Sequence, residues 1–354
     1  MNSPRTPSGA IRFVEIFDED LCAEVRERRI FLLTTSRIDE ILNVQSLLGD
    51  RGLSVEMHLL PDGEEQKQFR VFQEVLEHLA QIKFPRDGVI IAVGGGATTD
   101  VAGFVAASWM RGVDWIAIPT TLAAMVDAAI GGKTGINLDS GKNLVGAFHL
   151  PRSTVIDRRL LSSLDRRDFV AGMAEIIKCG MIDDPEILEL AESYSIDDFE
   201  AGRNQEILDA LIERSVAVKN RIVSKDLRES GERVFLNYGH TLGHAIEVLN
   251  DYRLRHGEAV SMGMVFAASL SERVLGLDPA VVLRQRKILE SFGLPTSLIR
   301  MTLESLVAIM ERDKKVQSGK MRFVLLKGIA EPKLVESIEM EVLESVFVEL
   351  ANGA

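Results

Sequence analysis

Two short apolar runs without a charged residue, 30–35 (IFLLTT) and 88–93 (GVIIAV), stand out in the first hundred residues, and a third, 53–59 (LSVEMHL), lies between them. Uninterrupted runs of that length suit strands buried on both faces. A helical period over 38–48 separates the first two. A charged turn at 61–67 (PDGEEQK) leads into a second helical period over 69–82, and 114–118 (DWIAI) reads as a further strand. Strands alternating with helices predict a parallel α/β sheet. From about residue 160 the period becomes helical, with long segments at 168–181 and 205–224, and only 321–326 reads as a strand. The expected organisation is α/β: a parallel-sheet domain over 1–160, followed by an all-α, mainly helical domain over 161–354.

The turns carry the first chemistry. The strand at 88–93 runs into Gly94-Gly95-Gly96-Ala97-Thr98-Thr99-Asp100 before a helix at 101–108. Glycines between a strand and a helix let backbone N–H groups approach a phosphate at the positive end of the helix. Thr99 occupies the place of the last glycine of the usual dinucleotide fingerprint, so both a nucleotide turn and a ligand-free tight turn fit this run. After Pro119-Thr120-Thr121, an apolar helix carries one acid, Asp127. Two glycine-rich turns follow, 130–137 (IGGKTGIN) and 141–149 (GKNLVGAFH). Gly132-Lys133-Thr134 is not a P-loop, because Asp127 stands where the first glycine is required and a helix precedes it. Lys133, Lys142 and Asn143 fit an anion site or plain exposed loops.

The chain has 354 residues, 46% hydrophobic and 27% charged, with a formal charge of -12. That balance argues against a nucleic-acid or anionic-membrane surface, although cations converging locally can still hold a small anionic substrate. Two cysteines provide no disulfide framework. The first ten residues lack the apolar core of a signal peptide, and no apolar run approaches membrane-spanning length, so a cytoplasmic enzyme is expected.

Three of the six histidines, His240, His244 and His256, fall within seventeen residues. His240 and His244 are four apart and project from one helix face, so they can address one ion. Thr241 stands where a zinc-protease helix needs its catalytic glutamate, which removes that reading. Glu247 and Glu258 lie close by. Upstream, Glu175 and Lys178 sit three apart in an otherwise apolar helix, as either an ion pair or a metal ligand with a neighbouring cation. Lys219, Arg233 and Asn237 lead up to the histidines.

The motifs G-G-G-x-x-x-D-x-x-G-F at 94–104 followed by Arg111-Gly112, P-T-T at 119–121, M-V-D-A at 125–128, G-G-K-T-G-I-N at 131–137, G-K-N-L-V-G-A-F-H at 141–149, A-E-I-I-K at 174–178, L-N-Y-G-H-T-x-G-H-A-I-E at 236–247 and H-G-E-A-V at 256–260 occur in that order. Over about residues 61–326 the chain resembles the 3-dehydroquinate synthase family, a branch of the sugar phosphate cyclases. The resemblance implies a lyase that converts 3-deoxy-D-arabino-heptulosonate 7-phosphate to 3-dehydroquinate and phosphate, by transient oxidation with NAD, phosphate elimination, re-reduction and aldol closure. It implies a divalent metal, zinc or cobalt, on Glu175, His240 and His256, with His244 as an acid/base and phosphate-contacting group. It implies NAD at Asp62, Gly63, Glu64, Lys67, Gly95, Gly96, Ala97, Thr98, Thr99, Asp100, Thr120 and Thr121, with Lys133 and Lys142 close by. Substrate contacts are implied for Asp127, Lys133, Asn143, Lys178, Lys219, Arg233, Asn237 and one of Lys314 and Lys315. Arg111 matches an arginine that the family takes from a neighbouring subunit, which implies a homodimer.

The chain departs from the family in places. Where an aspartate is frequent near the end of the first nucleotide strand, it reads Leu33-Thr34-Thr35-Ser36; Leu150 replaces a frequent glutamine, and the first 60 residues match weakly. Alternatives are a cyclase of sedoheptulose 7-phosphate, a metal-dependent polyol or glycerol dehydrogenase, and an inactive scaffold paralogue. Intact histidines and lysines argue against the last.

Overall fold

The computed structural model describes residues 9–139, 141–298, 301–316 and 321–352, and the side chains of these except 311–316. The chain forms two compact units, residues 1–164 with 223–228, and residues 165–222 with 229–354.

The first unit is built on β1 (Ala10–Phe13), α1 (Glu19–Val25), β2 (Ile30–Thr35), α2 (Ser36–Leu42), α3 (Val44–Gly49), β3 (Val55–Leu60), α4 (Phe69–Gln81), β4 (Val89–Gly94), α5 (Gly96–Ser108), β5 (Asp114–Pro119), β6 (Lys133–Leu138), β7 (Gly141–Phe148) and β8 (Ser153–Ile156). Six strands make one parallel sheet in the order β1-β8-β5-β4-β2-β3. The apolar runs are its centre: every residue of β2 and β4 is buried. On one face Phe31, Ile90, Ala92 and Trp115 pack with Val75, Leu79, Val101 and Val105 of α4 and α5.

The helical period at 38–48 is broken in two, because Asn43 takes a left-handed conformation (φ 47°) and caps α2. The two glycine-rich turns are not loops. They are β6 and β7, an antiparallel pair in which Gly135 faces Gly146. The expected apolar helix carrying Asp127 is short and includes a π turn at Ala124–Ala128.

The second unit is mainly helical: α6 (Arg166–Ile182), α7 (Glu186–Glu192), α8 (Ile196–Glu200), α9 (Gln205–Lys225, whose end counts with the first unit), α10 (His240–Leu249), α11 (His256–Leu275), α12 (Pro279–Ser291), α13 (Leu303–Val316) and α14 (Met340–Ala351). It is not all-α. The expected strand β9 (Arg322–Leu326) pairs antiparallel with β10 (Pro332–Glu336). Helix α6 is buried at every residue from Phe169 to Ile182, Glu175 and Lys178 included. No helix of the described residues is long and apolar enough to cross a membrane.

Candidate active site

In the first unit the glycine turn lies at the C-terminal end of β4. A Cβ on Gly94 would lie 2.4 Å from Thr98 Oγ1, so the strand can turn into α5 only through glycine. Gly95 is the N-cap and Gly96 begins the helix. The first N–H groups of a helix have no partner within it and carry its positive end. Beside them, Thr98 Oγ1 and Thr120 Oγ1 are buried without a hydrogen-bond partner, as is Thr34 Oγ1 near the end of β2. Free amide donors and orphaned hydroxyls at the C-terminal ends of three parallel strands fit a dinucleotide. At the departure from the family pattern, Thr35 is the side-chain cap of α2, accepting from Ile38 N at 3.4 Å.

Lys67 is buried rather than extended into solvent. Its Nζ donates to Asp100 Oδ2 at 2.6 Å and to Asn143 Oδ1, so it joins the 61–67 turn to the start of α5 and to β7. Glu64 accepts from Asn137 Nδ2 at 2.8 Å and lies 3.7 Å from Lys142 Nζ. Asn143 itself has positive φ (55°) and donates its N–H to Asn137 Oδ1 at 2.9 Å. Asp62, Gly63, Glu64, Lys67, Asp100, Asn137, Lys142 and Asn143 therefore form one neighbourhood. Lys133 is exposed, Thr121 and Asp127 are half-buried, and Arg111 is exposed with φ 67° in a short turn after α5.

The second unit gathers the histidines. His240 is the first residue of α10 and His256 the first of α11. Glycine lets these helices and α6 approach. A Cβ on Gly257 would lie 1.8 Å from Ala171 O in α6, and one on Gly263 would lie 1.9 Å from Gly239 O. Arg255 meets Asp168 at 2.6 Å, and Arg167 clamps Glu258 with two bonds of 2.6 and 2.8 Å, holding the first turn of α11 beside α6. The result brings Glu175, His240 and His256 together, with ligand atoms all within 4.8 Å of one another. His240 Nε2 is 3.8 Å and His256 Nε2 3.3 Å from Glu175 Oε1. That oxygen is buried and has no hydrogen-bond partner.

Glu175 Oε2 is held by Lys178 on the next turn, and both side chains are buried. Of the two alternatives read from the sequence, the ion pair is present on one oxygen, while the other oxygen is aimed at two imidazoles. Burial works to raise the Glu175 pKa, but the Lys178 ammonium and the two imidazoles hold it well below the usual carboxylate range. Burial, then Lys178, push His240 well below its ordinary value, so its ring is neutral at pH 7. Its Nδ1 lies 3.1 Å from Tyr238 O, a bond that puts the hydrogen on Nδ1 and leaves Nε2 a free lone pair. For His256, burial acts downward, but Glu175 and Glu247 on either side raise its pKa to about 10. An ionised carboxylate and two imidazoles around an orphaned oxygen fit a divalent ion with open positions for substrate oxygens, the ion displacing the second proton that the two carboxylates otherwise hold on His256.

His244 is exposed, one turn along α10, with ring centroids 5.3 Å from His240 and 5.9 Å from His256. Lys178, Lys219 and Arg233 are buried cations, and Asn237 donates to Glu229 Oε1 at 2.6 Å. Lys314 and Lys315 lie outside the residues whose side chains are described. The sequence reading treated Glu247 and Glu258 only as nearby acids and did not single out Arg167. Glu247 could have been found by its spacing, since 240, 244 and 247 share one helix face.

Residues 57–171 match the model of the 3-dehydroquinate synthase N-terminal domain, and residues 172–316 that of the 3-dehydroquinate synthase C-terminal domain. The chain is 50% identical over 295 residues to a 3-dehydroquinate synthase of Pseudarthrobacter chlorophenolicus, covering 83% of this chain and 80% of that one. A 3-dehydroquinate synthase of Nocardia farcinica is 47% identical over 311 residues, 87% and 82% of the two chains. Among solved structures, the fold is similar to 2-epi-5-epi-valiolone synthase from Streptomyces hygroscopicus with NAD+ and Zn2+ bound (TM-score 0.92, 24% identity, 100% and 99% covered). It is also similar to 2-deoxy-scyllo-inosose synthase complexed with carbaglucose-6-phosphate, NAD+ and Co2+ (TM-score 0.85, 27% identity, 96% of each chain).

Proposed function

The chain belongs to the 3-dehydroquinate synthase family, and from that premise we propose how its own residues serve the reaction, with NAD and a divalent metal ion as its cofactors. The activity is conversion of 3-deoxy-D-arabino-heptulosonate 7-phosphate to 3-dehydroquinate and phosphate. Glu175, His240 and His256 hold the metal. The glycine turn with Thr98, Thr99, Asp100, Thr120 and Thr121, and the 61–67 turn with Lys133 and Lys142, hold NAD. Bound there, NAD would supply reversible hydride acceptance within one turnover and a divalent ion would supply Lewis acidity at the hydroxyl being oxidised.

The chain's residues do the remaining work. Lys178 and Lys219 place positive charge where phosphate and alkoxide charge develops. Arg233 offers a forked guanidinium to the substrate carboxylate, and Asn237 and Asn143 hydrogen-bond ring hydroxyls. Asp127 orients substrate. His244, exposed on α10, exchanges protons with solvent and meets the phosphate being released. Arg111 reaches the site of a second copy, which makes a homodimer the working unit. A cytoplasmic setting accords with Cys22 and Cys179 being free thiols.

The observation that best supports the metal reading is Glu175 Oε1, buried, unpartnered and faced by two imidazole nitrogens. Chelation is expected to abolish turnover, and zinc or cobalt to restore it. Full activity in protein shown by elemental analysis to be metal-free would contradict it.

A further inference from the structure

Each ring nitrogen of His256 faces a different carboxylate. Nε2 lies 3.3 Å from Glu175 Oε1, and Nδ1 lies 3.2 Å from Glu247 Oε2. Glu247 is on α10, seven residues after His240 and three after His244, so it faces the start of α11 from the helix that carries the other histidines. Its side chain is buried, whereas the His256 side chain is 41% exposed. The contacts of Arg255 and Arg167 fix the backbone of the first turn of α11, but they do not fix the rotation of the His256 ring about χ2, which is intrinsically soft.

We propose that Glu247 is a positioning residue for the metal site: by accepting a hydrogen bond from His256 Nδ1–H it fixes both the rotation and the tautomer of the ring, so that the Nε2 lone pair points at the ion held with Glu175 and His240. This rests on the metal reading above. A carboxylate oxygen only accepts, so the bond to Glu247 keeps a hydrogen on Nδ1, and an ion that displaces any proton on Nε2 finds that nitrogen as its ligand. Tyr238 O does for His240 what Glu247 does for His256, one acceptor behind each imidazole. Acceptors behind metal-bound histidines hold ring orientation and raise ligand basicity, and their loss weakens metal affinity by about tenfold to a hundredfold.

His244, Glu247 and His256 also lie close enough to hold an ion themselves. Such an ion would need Nδ1 stripped of its hydrogen while Nε2 serves the first site, an imidazolate bridge that neutral imidazole ligation avoids. Glu247 is accordingly assigned to the support of one ion and not to a second.

The test is Co2+ titration of metal-stripped full-length protein, read by its visible spectrum and by competition with a chelator. Wild type should bind one ion per chain. E247A should bind about tenfold to a hundredfold more weakly, with a changed cobalt spectrum. E247Q, whose amide oxygen can still accept, should recover most of the affinity and the wild-type spectrum, while H244A should bind as wild type does. Wild-type affinity and spectrum in E247A would overturn the proposal. So would a second ion in wild type that both H244A and E247A lose. If E247A does not fold, E247D, too short to reach the ring, replaces it with the same expectation. Failure of wild type to bind cobalt, or binding undiminished in E175A, would instead defeat the metal reading itself.

Discussion

At the scale of single residues, Arg233 is the side chain proposed to set substrate choice. It is buried, and its forked guanidinium has the geometry to meet the carboxylate proposed to bind there. Arg233→Lys keeps the charge and loses the fork. Its kcat/KM should fall about tenfold to a hundredfold, the worth of a charged hydrogen bond, with an unchanged melting curve; a wild-type kcat/KM would remove Arg233 from the site. A second residue, outside the site, is expected to contribute to acid stability. His58 Nδ1 lies 2.9 Å from His78 Nδ1, with Phe31 against both rings. Burial, and then His78, lower the His58 pKa below its ordinary 6.5. At this group the unfolded chain therefore binds more protons than the folded one between that lowered value and 6.5, so the His58 contribution to stability is full above about pH 6.5 and declines as pH falls below it. Urea midpoints at pH 7.5 and 5.5 check this: the drop in wild type should be smaller in H58Q, and an equal drop would contradict it.

At the scale of elements, the ligands are brought together by glycines. Gly239, Gly243 and Gly263 let α10 and α11 touch, and Gly257 does the same for α11 and α6. Tyr238, just ahead of His240, is anchored by its hydroxyl on Gln285 Oε1 at 2.7 Å, and Gln285 donates to Met264 O at 2.9 Å. Gly263→Ala would put a Cβ against Gly239 O, one residue from His240. It should lower stability by about 1–3 kcal/mol, the usual cost of overpacking, and weaken metal binding at the same time; thermal unfolding and cobalt titration of the variant would detect both, and unchanged values would show that α10 can shift freely. These contacts were not legible in the sequence, where Gly257 and Gly263 are unremarkable helix residues. The strands β2 and β4 were legible because both faces are buried and their apolar runs are unbroken. The β6–β7 pair was not. Gly135 and Gly146 face each other across it, and a Cβ on Gly146 would lie 2.1 Å from Thr134 O, so the sequence there carries turn residues where a strand needs close backbone approach. β1 and β8 are four residues each, too short for periodicity to register.

For the whole molecule, order of motifs carried more than periodicity did. Spacing alone left Glu175 open between an ion pair and a ligand, and only the fold brings residue 175 beside 240 and 256. Arg111, exposed with left-handed backbone after α5, is proposed to act in a second copy. Mixing R111A with K178A subunits should then restore activity toward a quarter to a half of wild type, on the order of one intact site per heterodimer; no recovery in heterodimers shown to form would confine Arg111 to its own chain or to no role. The chain is proposed to recycle NAD at each turnover as it makes 3-dehydroquinate. The most direct measurement supplies purified protein with a divalent metal, NAD below the substrate concentration, and either the heptulosonate phosphate or sedoheptulose 7-phosphate, and follows phosphate, NADH and product identity together. A site built around a buried cation should discriminate against the neutral analogue by about 10⁴ or more. One phosphate per 3-dehydroquinate, many turnovers per NAD, no accumulating NADH, and essentially no reaction of sedoheptulose 7-phosphate are expected. NADH rising in step with product, or comparable specificity constants for the two sugars, would contradict the proposal.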